Sequence, residues 1–353
     1  MTKFTFDSKS RLEPGFAAAV LKNDKIVWKK CIGMADLGKK MPITPQTNFR
    51  LASLSKQFTA MAVMILIERK KLSLKNKLSD FFSGFPAYGN KVSVRQLLTH
   101  TAGIPDHEKP LYRTIRPGDE PTMADALDIL KSQSSPLFPP GSEYQYSDSG
   151  YVLLALIIEK VSGLTYREFL KQNIFSPLSM IGSDVLDQTK PKIKNRALGY
   201  KRMRLPRSPR RPRNDDENEN FEIFDYDPLN YIVGDEGVYS SINDMAKWSR
   251  AWDEEILVSR KNLAEATTPA LLGNGNFGKA GFSWLFGNIL NRFRVKPGMT
   301  RIIYQDGSWV GFRNIILKIP EKKLTVVVLS NRTDLNTEQR RISLAYKLVR
   351  EFL

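Results

Sequence analysis

The chain has 353 residues, of which 41% are hydrophobic and 26% are charged, so it can bury a substantial core and is not intrinsically disordered. Its longest apolar run, residues 60–67, is too short for a membrane-spanning helix of about 20 residues, and its single cysteine excludes an intrachain disulfide. A net charge of +17 suggests an anionic partner, but the basic runs lack interleaved aromatic residues, so we expect no nucleic acid to bind.

The predicted elements begin and end with strands. A β-hairpin is predicted at residues 16–28, around a polar turn. Helical patterns follow at residues 53–70, 94–98, 123–133, 149–161 and 166–174. Strand patterns return at residues 282–290, 301–304, 312–319 and 324–329, before a last helical pattern at residues 337–352.

This order predicts an α+β fold of the α/β-sandwich kind, in which both chain ends build one antiparallel sheet flanked by helices. We expect residues 1–70 and 225–353 to form this sheet domain, and residues 71–224 to form an inserted, mainly helical lobe. The lobe would include a charged loop at residues 201–222, whose Pro-rich basic half precedes an acidic half. A cleft is expected where the two parts meet.

Ser53 and Lys56 form the one Ser-x-x-Lys pattern of the chain, at the start of the long apolar helix predicted at residues 53–70. Positions three apart share a helix face, so the Ser53 hydroxyl and the Lys56 amine can come within hydrogen-bonding reach. Burial would lower the pKa of Lys56, and the neutral amine could then accept the serine proton. The alternative is an ordinary helix start, with Ser53 as N-cap and Lys56 on the surface.

Histidine usage favours this lysine as the base. The chain has two histidines, His100 and His107, and no Gly-x-Ser-x-Gly pattern, so a triad of the α/β-hydrolase kind has little support. We expect His100 to stabilise the helix end and turn in which it lies, and not to act in catalysis.

A second segment, residues 139–151, starts with a Pro-Gly turn and leads into the helix predicted at residues 149–161. Loops held against rigid helices commonly present catalytic side chains. A tyrosine of this segment that pointed at Ser53 could relay the serine proton and then donate it to the leaving group. Alternatively, Tyr146 is only a half-buried aromatic residue and Asp148 is the N-cap of the helix.

Three segments in succession resemble landmarks of the class C β-lactamase-related and penicillin-binding family of serine hydrolases, which includes β-lactamases, D-amino-acid peptidases and family VIII-type carboxylesterases. They are residues 49–60, residues 97–103 with the sequence Leu-Leu-Thr-His-Thr-Ala-Gly, and residues 140–151. The resemblance extends from about residue 16 to residue 329. It implies a DD-peptidase/β-lactamase-like fold with Ser53 as nucleophile, Lys56 as its base partner and Tyr146 as the tyrosine of the family's Tyr-x-Asn element. A rival Tyr-x-Asn, Tyr88-Gly89-Asn90, lacks the Pro-Gly context.

Two departures from the family pattern concern substrate recognition. Asp148 replaces the asparagine of Tyr-x-Asn, which puts an acceptor-only carboxylate near Lys56, where it would favour the charged amine. The third family motif, Lys-Thr-Gly or His-x-Gly, appears as Gln305-Asp306-Gly307, without the cation that would recognise a substrate carboxylate. The backbone N–H groups of Ser53 and Ser308 are expected to form the oxyanion hole, because main-chain donors do not depend on side-chain identity.

These observations predict a serine hydrolase that acts on small esters or amides through an acyl-enzyme on Ser53, and only weakly on β-lactams. No metal or organic cofactor is implied. The alternative is a catalytically silent relative that binds a ligand or a cell-wall fragment in the cleft. No signal peptide is visible, and the location stays open: exported or periplasmic if such a segment was removed, otherwise cytoplasmic. The oligomeric state stays open as well.

Overall fold

A computed structural model describes residues 12–189, 192–203, 221–286, 301–333 and 337–353. The strands of this part of the chain are β1 Phe16–Lys22, β2 Lys25–Ile32, β3 Met34–Asp36, β4 Met41–Pro42, β5 Phe49–Arg50, β6 Asp184–Val185, β7 Tyr200–Arg202, β8 Phe221–Ile223, β9 Val238–Ser240, β10 Leu285–Phe286, β11 Ile303–Trp309, β12 Phe312–Ile319 and β13 Leu324–Ser330. The α-helices are α1 Lys56–Glu68, α2 Leu78–Phe81, α3 Val94–Leu98, α4 Glu108–Thr114, α5 Met123–Ser132, α6 Asp148–Ser162, α7 Tyr166–Leu170, α8 Ile242–Ala251, α9 Arg260–Ala266 and α10 Thr337–Phe352. None of these helices combines the length and the apolar character that crossing a bilayer requires.

The main sheet joins the two ends of the chain, as predicted. Its six strands lie in the order β10-β11-β12-β13-β1-β2, and each neighbouring pair is antiparallel. The N-terminal hairpin meets the C-terminal strands where β1 pairs with β13, with Ala19 opposite Val327. Because a hairpin alone is marginally stable, this long-range pairing completes the sheet and closes the fold.

Both faces of the sheet are covered, which explains the near-continuous apolar strands. Val20, Leu317 and Val326 point to one face, where they pack with buried residues of α10. Alternate residues such as Ala19 and Val327 point to the other face and join the larger core that contains α1, α6 and α8. Each fully buried aliphatic side chain of this kind stabilises the fold by about 1.5–3 kcal/mol.

Helix α1 is the buried centre of this larger core. Its residues from Lys56 to Leu66 are all buried, and Phe58 stacks on Trp248 of α8 with ring centroids 4.0 Å apart. The helix predicted from residue 53 differs in its first turn, because residues Ala52–Ser55 form a 3-10 turn and the α-helix starts at Lys56. Ser53 therefore lies in a tight turn packed on β11 and β12.

Three other predicted elements differ in extent. The strand predicted at residues 301–304 continues to Trp309 and so contains the third motif. The helix predicted at residues 166–174 ends at Leu170 and continues as a π-helical turn, Lys171–Phe175. Of the strand predicted at residues 282–290, Leu285–Phe286 is a strand and residues 287–290 lie outside the described residues.

Most of the predicted charged loop, residues 204–220, also lies outside the described residues. Its two ends form the ribbon β7-β8, in which Lys201 lies opposite Glu222 with a salt bridge of 3.1 Å. The division into two lobes at residues 70/71 and 224/225 stays a prediction.

Candidate active site

Ser53 is presented by a strained turn that its neighbours hold in place. Ala52, directly before it, has a φ of +53°, a left-handed conformation that costs a non-glycine residue about 1–3 kcal/mol. The Leu51 N–H donates to the Val238 carbonyl at 2.8 Å, and Ser55 Oγ accepts from the Val238 N–H at 3.1 Å. Strand β9 thus clamps the turn on both sides of Ser53.

Lys56 lies one turn further along, fully buried, with three acceptors around its ammonium. Its Nζ donates to Ser53 Oγ at 3.3 Å, to Asp148 Oδ1 at 2.5 Å and to the backbone oxygen of Asp235 at 3.0 Å. The predicted approach of the serine hydroxyl and the lysine amine is therefore present. Lys56 is not on the surface, which excludes the ordinary helix start considered as an alternative.

The expectation of a neutral Lys56 is wrong for the unliganded protein. Burial alone would lower the pKa of Lys56, but the charge of Asp148, together with Tyr146 and Asp235, raises that pKa well above its ordinary value. At neutral pH the side chain is therefore an ammonium paired with Asp148. Desolvation is the largest single influence, but the effect anticipated for the Asn-to-Asp departure outweighs it together with Tyr146 and Asp235.

Tyr146 is the tyrosine at this pair. Its ring lies over Lys56 Nζ, 5.1 Å from the ring centroid, and stacks on His100 with centroids 4.5 Å apart. Burial raises the pKa of Tyr146 to about 12, although the Lys56 charge and hydrogen bonding with Ser53 and Lys56 oppose the rise. The phenol is protonated at neutral pH and can donate a hydrogen bond or a proton. The rival Tyr88 belongs to an aromatic cluster with Phe85.

Both histidines position this region as neutral rings. His100 has a φ of +57°, directly after α3 and its cap, and its Nδ1 accepts from the Ser147 N–H at 3.1 Å. Burial and the Lys56 charge lower the pKa of His100 to about 3. His107 Nδ1 lies 3.0 Å from Ser149 Oγ, and burial lowers the pKa of His107 to about 4. The contacts of His100 agree with the structural role expected for it.

Asp148 is the first residue of α6, and its carboxylate faces Lys56. The N-cap is Ser147, whose hydroxyl accepts from the Gly150 N–H at 3.1 Å, so the alternative of Asp148 as N-cap is wrong. Burial opposes ionisation of Asp148, but the charge and hydrogen bond of Lys56 hold its pKa below the usual range. Its side chain keeps 34% of its surface exposed, so the carboxylate borders solvent as well as Lys56.

Strand β11 brings the third motif beside the Ser53 turn. Gln305 is buried, and its Nε2 donates to the Ser53 carbonyl at 3.4 Å and to the Asp306 carbonyl at 3.0 Å. A Cβ on Gly307 would lie 2.2 Å from the Leu51 carbonyl oxygen, so only glycine allows the strand to approach the turn this closely.

The side chains of Asp306 and Ser308 face the other side of β11, where Arg341 of α10 binds them. Arg341 donates to Asp306 Oδ2 at 2.7 Å, to Ser308 Oγ at 2.8 Å and to the Gly307 carbonyl at 3.0 Å. The predicted substrate contact of Asp306 therefore competes with a salt bridge that the sequence did not indicate. The Ser53 and Ser308 N–H groups stay the predicted oxyanion donors.

Three carboxyl groups lie close together beside Lys56, and the sequence analysis did not identify them. One carboxylate oxygen from each of Glu108, Asp235 and Glu236 lies within 4.8 Å of the others, a spacing that could hold a cation. Glu236 pairs with the buried Arg50 at 3.2 Å. The signal that could have found the group is the buried-looking Asp235-Glu236 pair directly before Gly237.

Comparison with known proteins identifies relatives over nearly the whole chain. A family profile described as "Beta-lactamase" matches residues 7–351. Penicillin-binding protein 4* of Bacillus subtilis is 30% identical over 318 residues, which are 88% of this chain and 66% of that protein. The chain thus spans just under two thirds of the length of this relative.

Two solved structures share the fold. The octameric penicillin-binding protein homologue from Pyrococcus abyssi is 28% identical, with a TM-score of 0.72 over 92% of this chain and 70% of that one. A penicillin binding protein from Bacillus halodurans is 23% identical, with a TM-score of 0.76 over 98% of this chain and 100% of that one. The second likeness concerns the fold alone.

Proposed function

Because the chain belongs to the β-lactamase family of serine hydrolases, we propose that it hydrolyses small carboxylic esters or amides through an acyl-enzyme on Ser53. The observation that carries this proposal is the 3.3 Å contact between Ser53 Oγ and Lys56 Nζ in a clamped turn, with Tyr146 beside both. A nucleophile, a proton acceptor and a proton donor in mutual reach are what acyl transfer requires.

In the proposed reaction, Ser53 Oγ attacks the carbonyl carbon while its proton passes to the uncharged Lys56 amine. The tetrahedral intermediate, held by backbone N–H groups, expels the leaving group, which takes the proton from Lys56 directly or from Tyr146, to which Lys56 then returns one. In the second step, water attacks the acyl carbon and gives its proton to the neutral Lys56 amine. Lys56 passes this proton to Ser53 Oγ as the bond between Oγ and the acyl carbon breaks, which releases the acid and restores Ser53, Lys56 and Tyr146.

The resting ammonium of Lys56 must first lose its proton. Transfer to Asp148 would cost about 9 kcal/mol from the ordinary pKa values of lysine and aspartate, and the shifts in this site enlarge that cost. Loss to solvent at pH 9 costs at least about 2 kcal/mol, because the pKa of Lys56 lies above its ordinary value. Activity is therefore expected to rise with pH, with solvent as the proton acceptor.

Small esters, or amides whose identity stays open, are favoured as substrates over β-lactams. Asp148 cannot donate a hydrogen bond to a substrate carbonyl, as an asparagine could. Gln305 brings no cation to a substrate carboxylate, and its amide is already directed at backbone oxygens. We infer weak β-lactam turnover from both differences.

A second candidate function, ligand binding without turnover, is favoured by the Lys56–Asp148 ion pair. An amine held as an ammonium cannot accept the serine proton, so a protein with this pair could bind an acyl ligand and leave it intact. Turnover of p-nitrophenyl acetate that disappears in both Ser53→Ala and Lys56→Ala would exclude this candidate.

The proposed acyl-enzyme is tested by mass spectrometry after exposure to a fluorophosphonate. The wild-type protein is expected to gain one covalent adduct, on Ser53, which Ser53→Ala lacks. Ser132→Ala, at an exposed serine of α5, is the matched control and is expected to be labelled like the wild type. An unlabelled wild-type protein between pH 7 and pH 10 would contradict the proposal.

A further inference from the structure

The carboxyl groups beside Lys56 outnumber the cations that face them. Arg50 pairs with Glu236 at 3.2 Å, and Lys56 pairs with Asp148 at 2.5 Å. Glu108 and Asp235 form no ion pair among the residues that the structure describes. Within the described part of the chain, these two carboxyl groups therefore lack a cation at salt-bridge distance.

Asp235 is the member of this group that points to a ligand. It is 3% exposed, and its Oδ1 has no hydrogen-bond partner in the described part of the chain. A buried, unpartnered carboxylate oxygen is costly, so native proteins rarely keep one without a ligand, a proton or water. Burial and neighbouring carboxylates raise the pKa of Asp235 to about 7 and that of Glu108 to about 8, as expected where a compensating cation is missing.

The spacing of the oxygens suits an ammonium group. Three acceptors at about 2.8 Å from one tetrahedral nitrogen lie about 4.6 Å apart. The three oxygens here lie within 4.8 Å of one another, close enough for one ammonium to donate to all three, and the half-buried Glu108 leaves that position open to solvent.

We propose that Glu108, Asp235 and Glu236 form a subsite for the ammonium group of the substrate, which would then be an ester or amide whose acyl part carries a primary amine. This inference rests on the proposed function. The Asp235 backbone oxygen accepts from Lys56, and Lys56 donates to Ser53, so the subsite adjoins the nucleophile. The α-amine of an aminoacyl group lies two bonds from its carbonyl carbon, which matches this placement.

The test compares alanine p-nitroanilide, in both enantiomers, with its amine-free counterpart propionyl p-nitroanilide. The wild-type protein is expected to show a kcat/KM at least about tenfold higher for one of the amine-bearing substrates. Glu108→Gln is expected to remove most of this preference. Asp128→Asn, which removes one charge from an exposed position of α5, is the matched control and is expected to keep it. Equal kcat/KM for amine and amine-free substrates, or an unchanged ratio in Glu108→Gln, would overturn the inference.

Calorimetry on Ser53→Ala separates this inference from the proposed function, because it needs no turnover. Alaninamide is expected to bind saturably to Ser53→Ala and to bind at least about tenfold more weakly when Glu108→Gln is added. If no acyl-enzyme forms but this binding is found, the proposed function fails and the ammonium subsite stands. If alaninamide does not bind while CaCl₂ or MgCl₂ binds saturably, the group is a metal site and the inference is wrong.

Discussion

Replacing Asp148 by asparagine tests what the carboxylate does to Lys56. Asp148 is the largest of the influences that raise the pKa of Lys56, and burial acts in the opposite direction. In Asp148→Asn the charge is lost while the size of the side chain is kept, so the pKa of Lys56 is expected to fall. More of the lysine is then the neutral amine that can accept the serine proton.

The burial of Lys56 and Asp148 determines how much free energy their ion pair contributes, and hence how far the pKa of Lys56 falls in Asp148→Asn. Lys56 is 1% exposed and Asp148 is 34% exposed, so the pair lies between a surface salt bridge of up to 1 kcal/mol and a buried one of 3–5 kcal/mol. A loss of about 2–4 kcal/mol raises the neutral fraction of Lys56 about 30- to 1000-fold at a given pH. A less basic amine is also a weaker acceptor, which leaves a net gain of about five- to thirtyfold in kcat/KM at pH 7.

The assay is the pH profile of kcat/KM for p-nitrophenyl acetate, a neutral ester, between pH 6 and pH 10. In the wild type, kcat/KM is expected to rise with pH as Lys56 loses its proton, and in Asp148→Asn this rising limb is expected to lie at lower pH. The matched control Asp128→Asn is expected to follow the wild type. If Asp148→Asn has a lower kcat/KM at every pH and its profile rises at the same pH as that of the wild type, the reasoning is refuted, because Asp148 would then be needed for proton transfer.

Two further predictions concern the packing of the site and its excess charge. Gly307→Ala is expected to lower the free energy of unfolding by about 1–3 kcal/mol and to displace the Ser53 turn, because its Cβ would lie 2.2 Å from the Leu51 oxygen. Urea denaturation and fluorophosphonate labelling check this, with Gly38→Ala, whose Cβ meets its nearest atom at 3.5 Å, as the control that should change neither. Glu108→Gln is expected to raise the free energy of unfolding at pH 8.5 by about 1–3 kcal/mol, a value reduced for partial exposure. The reason is that the folded-state pKa of Glu108, about 8, lies above its unfolded value, so wild-type stability is lost as pH rises through 8. Denaturation of the wild type and of Glu108→Gln at pH 4 and pH 8.5 tests this. A difference between their free energies of unfolding that persists at pH 4, where Glu108 is protonated in both states, would contradict it.

Local patterns were sufficient to predict the sheet and the reactive pair. Alternating and continuous apolar runs predicted the strands at both chain ends, because burial of a strand face demands them. The three-residue spacing predicted the contact of Ser53 with Lys56. This contact is present although the turn that carries Ser53 is a 3-10 turn and not α-helical. The Pro-Gly context distinguished Tyr146 from Tyr88.

The charge state of Lys56 and the surroundings of the third motif depended on tertiary structure. Desolvation of Lys56 was foreseeable from the apolar helix. Asp148, however, lies 92 residues away in the chain, and its closeness to the amine contributes most to the opposing rise in the pKa of Lys56. Arg341 reaches Asp306 from a helix 35 residues further along the chain, so no local pattern indicated their pair.

What the sequence by itself determined is therefore the strands of the main sheet, several of the helices, the family resemblance and the reactive residue types. Only the folded chain decided the protonation of those residues and the grouping of Glu108 with Asp235 and Glu236. The physical reason is range: hydrophobic periodicity acts between neighbours on one element, whereas a pKa depends on distances and burial that exist only after distant segments have packed together.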